Sequence, residues 1–486
     1  MHSTDLTTYE PEGIRVGVVR GISYGLFGPP GEFIPAASSL GAGLVRAYLF
    51  WSQIEPAPGQ YRWDAVDALL RQLDRNEADT EVWITLCSSS PWATRTATDF
   101  LPPSPAREQS AYAEFVRQVV MRCAGRVRYW QCDNEPSNTD LLWNGTAQEY
   151  VGQLRTMYLA VKDADPQAAV VLGGCGYDVF SSEAGSPQRD FFDYVTGHGQ
   201  DSFDLFSIHL YGDVASLPDY IATARQFMRA HGYCKPVVAG EHAGPQPFEF
   251  PAAITVMQQV FAAAFAAPPA TSSTEELAAR AKAESPERRA MTALYDRMEE
   301  LPPELAMFMA GCPEELEARR QRISCRQVVM RTLIAMAQGV RRTAYWNLAP
   351  EYPGPVDHLQ MMHLMIGKLP LLGYADGQLS VRHPAAGTFA LLAAKLAGAR
   401  SVSRLAIAGQ PGIWAFEVER KEAGPLTVLW DQRDAFAGED EPPVPVLLPW
   451  REDKASVTDA FGVASVAANQ DGAVRLQVSV TPLFVE

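Results

Sequence analysis

Short extended apolar runs and longer stretches with helical spacing alternate along this chain. Ile14-Arg-Val-Gly-Val-Val19 alternates and then meets glycines, which predicts a first strand followed by the loop 21–31. Gly43-Leu-Val-Arg-Ala-Tyr-Leu-Phe-Trp51 is a second buried run, closed by Glu55-Pro56-Ala-Pro58-Gly59. After it Trp63, Val66, Leu69, Leu70 and Leu73 recur at helical spacing. The unit then repeats. Glu81-Val-Trp-Ile-Thr-Leu86 is a third strand, followed by the loop 87–105 and a helix with Tyr112, Phe115, Val116, Val119 and Cys123 on one face. The run Val127-Arg-Tyr-Trp-Gln-Cys-Asp-Asn-Glu-Pro136 carries the fourth strand, and Thr146-Ala-Gln-Glu149 has the spacing of a capping box opening its helix. Ala169 to Leu172, Asp204 to Tyr211 and Pro236 to Glu241 are strands five to seven. A short helix including Phe191 to Val195 follows the fifth, and one from about Asp219 to His231 follows the sixth.

Between Ala243 and Arg322 the rhythm breaks. An apolar segment, Ala252 to Ala267, is followed by a charged region rich in alanine and glutamate through Arg320. This predicts helices inserted over about 244–325, between strand seven and its own helix at Gln327 to Gln338. Arg342 to Trp346 is an eighth strand, and Ala385 to Leu396 a closing helix. Eight such alternations predict an α/β fold, a closed parallel (β/α)8 barrel over 12–398, in preference to a doubly wound open sheet. From 399 to 486 short strands broken by turns replace the helical period: 404–408, 413–418, 426–430, 444–448, 455–461 and 474–480. They predict a small β-sandwich. Segment 351–382 and the N-terminal residues are left over as possible contributors to it.

A length of 486 residues with 47% hydrophobic and 20% charged residues suits a large α/β domain with a smaller companion. The net charge of -16 argues against nucleic acid or an anionic membrane as partner, since both need clustered positive charge. No run approaches the roughly 18 to 20 apolar residues that span a bilayer. Residues 1–10 have neither a basic start nor an apolar core, and the seven scattered cysteines read as small core residues in a reducing compartment; both suggest the cytoplasm. Oligomeric state is not legible.

In a barrel of this kind the site lies at the carboxyl ends of the strands. Those ends present Arg46, Asn134, Glu135, His209, Tyr211, Glu241 and Trp346. Glu135 precedes Pro136, which favours extended geometry and predicts that its side chain continues the strand's alternation. Glu241 follows Gly240, whose missing side chain permits close approach of a neighbour. Strands four and seven face each other, so the two carboxylates can work on one glycosidic bond, the charge of one raising the pKa of the other. His209 and Tyr211 share a face by period two. His209 without Tyr211 would read as a core histidine, and Trp346 alone reads evenly as a core aromatic or a sugar-stacking ring. Trp51 and Trp92 are further candidates for stacking on a sugar, or plain core aromatics.

Asn134-Glu135-Pro136, His209-Leu-Tyr211, Glu241 and Trp346 resemble the clan A glycoside hydrolase signature. The run Trp51-Ser-Gln-Ile-Glu-Pro-Ala-Pro-Gly-Gln-Tyr-Arg-Trp-Asp64 resembles the second strand and loop of glycoside hydrolase family 39, and Val457-Thr-Asp-Ala-Phe-Gly462 with the closing 481–486 is similar to its terminal sandwich. The resemblance implies a retaining β-glycosidase with Glu135 as acid/base and Glu241 as nucleophile. It implies that Asn134 binds the sugar hydroxyl next to the anomeric carbon, that Tyr211 hydrogen-bonds the nucleophile, and that Trp346 floors the subsite, with Arg46 and His209 in support. Asp133 stands where the family commonly has tryptophan, and His242 where it often has an aromatic residue.

The implied partner is a carbohydrate or glycoside. A transglycosylase on the same site and a non-catalytic carbohydrate-binding barrel are the alternatives. Gly173-Gly-Cys-Gly176 lacks the spacing of a dinucleotide fingerprint and reads as a strand-end turn. The histidines form no short metal-ligand pair, and no Gly-x-Ser-x-Gly elbow is present, so neither a cofactor nor a metal is expected.

Overall fold

The computed structural model describes residues 9–139, 141–264, 273, 275, 284–351 and 357–486. Eight parallel strands close into a barrel in chain order: β1 (Arg15–Val19), β2 (Leu44–Phe50), β3 (Glu81–Cys87), β4 (Tyr129–Cys132), β5 (Ala169–Cys175), β6 (Leu205–Leu210), β7 (Val237–His242) and β8 (Arg342–Tyr345). Strand alternation divides the apolar residues into two sets. Leu44, Trp83, Tyr129, Ala169, Val171, Leu205 and Val238 fill the interior, while Val45, Ala47, Val82, Ile84 and their like meet the surrounding helices. Gly17 is forced, because a Cβ there would lie 2.5 Å from Leu44 O on the neighbouring strand. The amino end of the barrel is sealed by Arg342, which donates to Glu81 Oε2 at 2.6 Å and to the carbonyls of Glu12 and Gly13.

The helices follow the predicted faces, and the capping box at 146–149 forms: Glu149 N donates to Thr146 Oγ1 at 3.2 Å and Thr146 N to Glu149 Oε2 at 2.8 Å. Two helices are longer than the pattern predicts, Pro187–His198 after β5 and Glu314–Ala337 before β8. Between β7 and β8 lie helices Pro251–Ala264, Pro286–Tyr295 and Pro303–Ala306. Residues 265–272, 274 and 276–283 of the predicted excursion lie outside the described residues. Its described part has a separate, methionine-rich core that includes Met257, Met291, Met307 and Met309. Met361 and Leu364 from the helix Met361–Ile366, after β8, join that core. Segment 351–382 therefore does not feed the sandwich: beyond this helix it forms its own hairpin, β9 (Leu372–Ala375) with β10 (Gln378–Arg382), and residues 352–356 lie outside the described residues. Tyr9 packs edge-on against Tyr129 beneath the barrel, so this N-terminal residue does not join the sandwich either, and residues 1–8 lie outside the description.

The C-terminal unit is an eight-stranded antiparallel sheet folded over into a sandwich. Its strands are β11 (Ala399–Leu405), β12 (Ile413–Arg420), β13 (Leu426–Asp431), β14 (Val444–Pro449), β15 (Lys454–Asp459), β16 (Ala464–Gln470), β17 (Ala473–Val478) and β18 (Leu483–Val485). Two of these, β16 and β18, are missing from the sequence reading. β16 is exposed along most of its length and carries no apolar alternation, and β18 is three residues long. Phe416, Val418, Val428 and Trp430 face the barrel's helices, while Ile413, Ala415 and Leu429 face the sandwich interior.

Candidate active site

Arg46 organises the carboxyl end of the barrel. It is fully buried and sits 5.3 Å from the Trp83 ring on the barrel's inner wall. Its guanidinium donates to Thr85 Oγ1 on β3 at 3.0 Å, to Asn134 Oδ1 after β4 at 2.7 Å, and to Gly240 O and Glu241 Oε1 on β7, each at 2.9 Å. Five donors in a planar fork allow one side chain to tie three strands. Gly240 makes room for this: an added Cβ would lie 2.5 Å from Ser207 Oγ and 3.2 Å from Arg46 Nη1.

Glu241 is buried and held by donors on both oxygens. Oε1 accepts from Arg46 and from the Tyr48 hydroxyl at 2.6 Å; Oε2 accepts from the Tyr211 hydroxyl at 2.7 Å. Burial pushes its pKa up, but the charges of His209 and Arg46 and the two phenolic hydrogen bonds outweigh that and hold it below the usual carboxylate value. Both phenols are pushed well up, first by burial, so they remain neutral donors. Tyr48, absent from the predicted set, carries a signal that period two supplies, since it follows Arg46 by two residues and shares its face.

Glu135 does not continue the β4 alternation. The ladder ends at Cys132, and the backbone then turns through positive φ at Asp133 (51°) and again at Glu135 (41°), with Asn138 N closing on Glu135 O at 2.9 Å. The cause is Asp133, whose carboxylate accepts from Ser88 N at 2.7 Å and from Gln153 Nε2 at 3.0 Å, which draws the chain out of the strand. Left-handed backbone at non-glycine residues costs about 1–3 kcal/mol each and persists only where the surroundings hold it. Asp133 is thus an anchor for the turn, held away from the cleft by Ser88 and Gln153. The turn delivers Glu135 Oε1 to His209 Nδ1 at 2.5 Å, and the same nitrogen lies 3.5 Å from Glu241 Oε2. His209 is fully buried, and its ring reaches this place because Gly174 has no Cβ, which would sit 2.2 Å from His209 Nε2. Gly173 and Gly174 are therefore residues inside β5 that admit their neighbours, and the strand-end turn starts only at Gly176.

Trp346 follows β8 with its ring edge-on to Tyr48, centroids 6.3 Å apart. Its buried Nε1 has no hydrogen-bond partner among the described residues, and the Trp346–Asn347 peptide bond is cis. All seven residues singled out from the sequence thus converge. Trp51 does not: it is fully buried, stacked on Phe115 at 5.0 Å and bonded through Nε1 to Glu55, so it is a core residue. Trp92 packs against it and donates Nε1 to Glu55 O at 3.0 Å. His242 is buried edge-on to Tyr345, on the side away from the cleft; burial and then Arg331 push its pKa down to about 3.

One ligand atom each from Glu135, His209 and Glu241 lies within 4.8 Å of the others, a spacing that some metal sites share. A cation placed there would stand against the Arg46 guanidinium and displace the donors already on Glu241. The group suits proton transfer and charge stabilisation better than metal coordination.

The fold is similar to that of solved glycoside hydrolases. A family 39 glycoside hydrolase from Bacteroides cellulosilyticus WH2 matches at a TM-score of 0.60 and 13% identity, covering 98% of this chain and 81% of that one. A glucosidase from Croceicoccus marinus matches at 0.57 and 16%, covering 98% and 97%. A family 39 β-xylosidase from Caulobacter crescentus matches at 0.55 and 13%, covering 98% of each chain. No family model matches the sequence, and no curated protein matches it. At these identities the likeness speaks for the fold, and the chemistry rests on the residues. No helix among the described residues is long and apolar enough to cross a membrane.

Proposed function

We propose that the protein is a retaining glycoside hydrolase that cleaves a β-linked glycoside through a glycosyl-enzyme intermediate. The observation that carries this reading is the pair Glu135 and Glu241 at the carboxyl ends of β4 and β7, with oxygens within 4.8 Å of each other. Retaining enzymes hold their carboxyl groups roughly 5–5.5 Å apart, and inverting ones need about 6.5–9.5 Å to admit a water. The two environments also differ in the required sense. Glu241, held ionised by Arg46, Tyr48 and Tyr211, is aimed as a nucleophile at an anomeric carbon. Glu135, partly open to the cleft, is free to protonate the leaving oxygen and then to take a proton from the attacking water. Asn134, oriented by Arg46, is placed to bind the neighbouring sugar hydroxyl, and Trp346, whose Nε1 has no partner among the described residues, to lie under the sugar ring.

The test is kinetic. On aryl β-glycosides, Glu241→Ala is expected to abolish turnover, with azide restoring it as an α-glycosyl azide. Glu135→Ala is expected to lose about 10²–10⁴-fold on poor leaving groups and to yield a β-glycosyl azide. Wild-type activity in Glu241→Ala would reject the mechanism.

A further inference from the structure

A third carboxylate stands beside the pair. Asp178 is the second residue of the short helix Tyr177–Phe180 that follows β5, and its Oδ2 accepts a hydrogen bond from Ser137 Oγ at 2.9 Å. Ser137 lies two residues beyond Glu135, in the same turn. Gly176 is all that separates the two acids: a Cβ built on it would lie 2.7 Å from Asp178 Oδ1 and 2.8 Å from Glu135 Oε1. No salt bridge to Asp178 is present among the described residues. A half-buried carboxylate packed against another without a cation of its own has no evident value for stability.

On the reading that Glu135 is the acid/base, we propose that Asp178 is a positioning residue for it. Through Ser137 it pins the strained turn that presents Glu135, and across Gly176 it places a second carboxylate beside the Glu135 carboxyl. The proton balance is simple. During glycosylation the proton moves from Glu135 to the leaving oxygen, and during deglycosylation it returns to Glu135 from water, while Asp178 neither gives nor takes one. The charged and titratable groups that act on Asp178 are Glu135 from the β4 turn and His209 from β6, with Cys175 of β5 beside it. Burial, then the charge of Glu135 when that group is ionised, push the Asp178 pKa up to about 6.

The experiment compares the full-length wild type with Asp178→Asn on the aryl β-glycoside that the wild type cleaves, with 4-nitrophenol and 2,4-dinitrophenol as leaving groups. Asparagine keeps an oxygen for Ser137 and removes the charge. The alkaline limb of kcat/KM is expected to move about one pH unit lower, with a loss of about tenfold at neutral pH. This should hold for 4-nitrophenol only, because 2,4-dinitrophenol departs without a proton. The melting temperature of Asp178→Asn at pH 8 should equal or exceed that of the wild type. Ser137→Ala should lower kcat for 4-nitrophenol a few-fold without moving the limb, and it decides the matter if the asparagine variant does not fold. An unmoved limb in folded Asp178→Asn, or full activity in Ser137→Ala, overturns the inference while Glu135→Ala stays impaired. Full activity in Glu135→Ala overturns the acid/base assignment itself.

Discussion

Asp133 is a buried carboxylate whose hydrogen bonds all come from neutral donors: Ser88 N and Oγ, Gln153 Nε2 and the Cys132 thiol. Burial raises its pKa to about 6 against these bonds, which only partly offset it. Its folded value therefore lies above its unfolded one, and the folded state binds the proton more tightly. This group costs stability once the pH exceeds its folded value, and relieves that cost as the pH falls through 6 toward 4. Comparing urea unfolding of Asp133→Asn and wild type at pH 5 and pH 8, the difference is expected to move in the variant's favour by about 1.4 kcal/mol at the higher pH. A pH-independent difference would show that the acid is not ionised alone. The residue also explains a failure of local reasoning. Proline after Glu135 argues for extended backbone, but the bonds from Asp133 to Ser88 and Gln153 come from residues distant in sequence, and no pattern within the strand announces them.

At the level of elements, the loop after β7 must leave the catalytic face without disturbing Glu241, and a buried arginine secures it. Arg331, on the helix Glu314–Ala337, pairs with Glu249 at 2.9 Å and donates to Leu210 O at 2.9 Å, the last residue of β6, and to Gly212 O at 2.6 Å beyond it. It ties three elements that carry or border Tyr211 and Glu241. Replacing it by methionine keeps the volume but leaves Glu249 buried without its cation and two carbonyls without donors. A loss of about 3–5 kcal/mol is expected, read as a lower urea midpoint; a change below 1 kcal/mol would mean that Glu249 is held neutral by burial. Burial does push Glu249 up to about 7 despite Arg331, so the loss should be smaller at pH 5, where the carboxyl is protonated and needs no cation. The sequence shows the helix here but not the clamp. Periodicity reports which face of an element is apolar, and so eight strands, their order and seven converging side chains were legible. Asp178 is the contrary case, because its place depends on Gly176 and on a turn from another strand.

Across the whole molecule, the sandwich is held to the barrel by a shared apolar layer and a charged clasp. Glu439, between β13 and β14, receives Arg322 at 2.5 Å and Arg326 at 2.7 Å from the helix Glu314–Ala337, and Asp440 receives Arg319 at 2.7 Å. The same helix supplies Arg331, so one rigid element connects the sandwich to the rim of the catalytic site. Burial raises the Glu439 pKa, but Arg322 and Arg326 outweigh it and the net value is lowered. The clasp is therefore at full strength above the unfolded carboxylate value and is lost as the pH falls through the lower folded one. Arg326 is 2% exposed along its side chain and Glu439 is 16% exposed, so the pair is largely removed from water and salt screens it weakly. Glu439→Ala leaves Arg326 charged and buried with Ala435 O at 3.2 Å as its one acceptor among the described residues, at a cost of about 1–3 kcal/mol. Because the loss falls on the junction, calorimetry at pH 7 should resolve an early transition of the sandwich ahead of the barrel, where the wild type melts in one. Glu439→Gln should recover part of the loss through its remaining acceptor. A single transition at the wild-type temperature would mean that the apolar layer of Phe416, Val428 and Trp430 alone binds the two units.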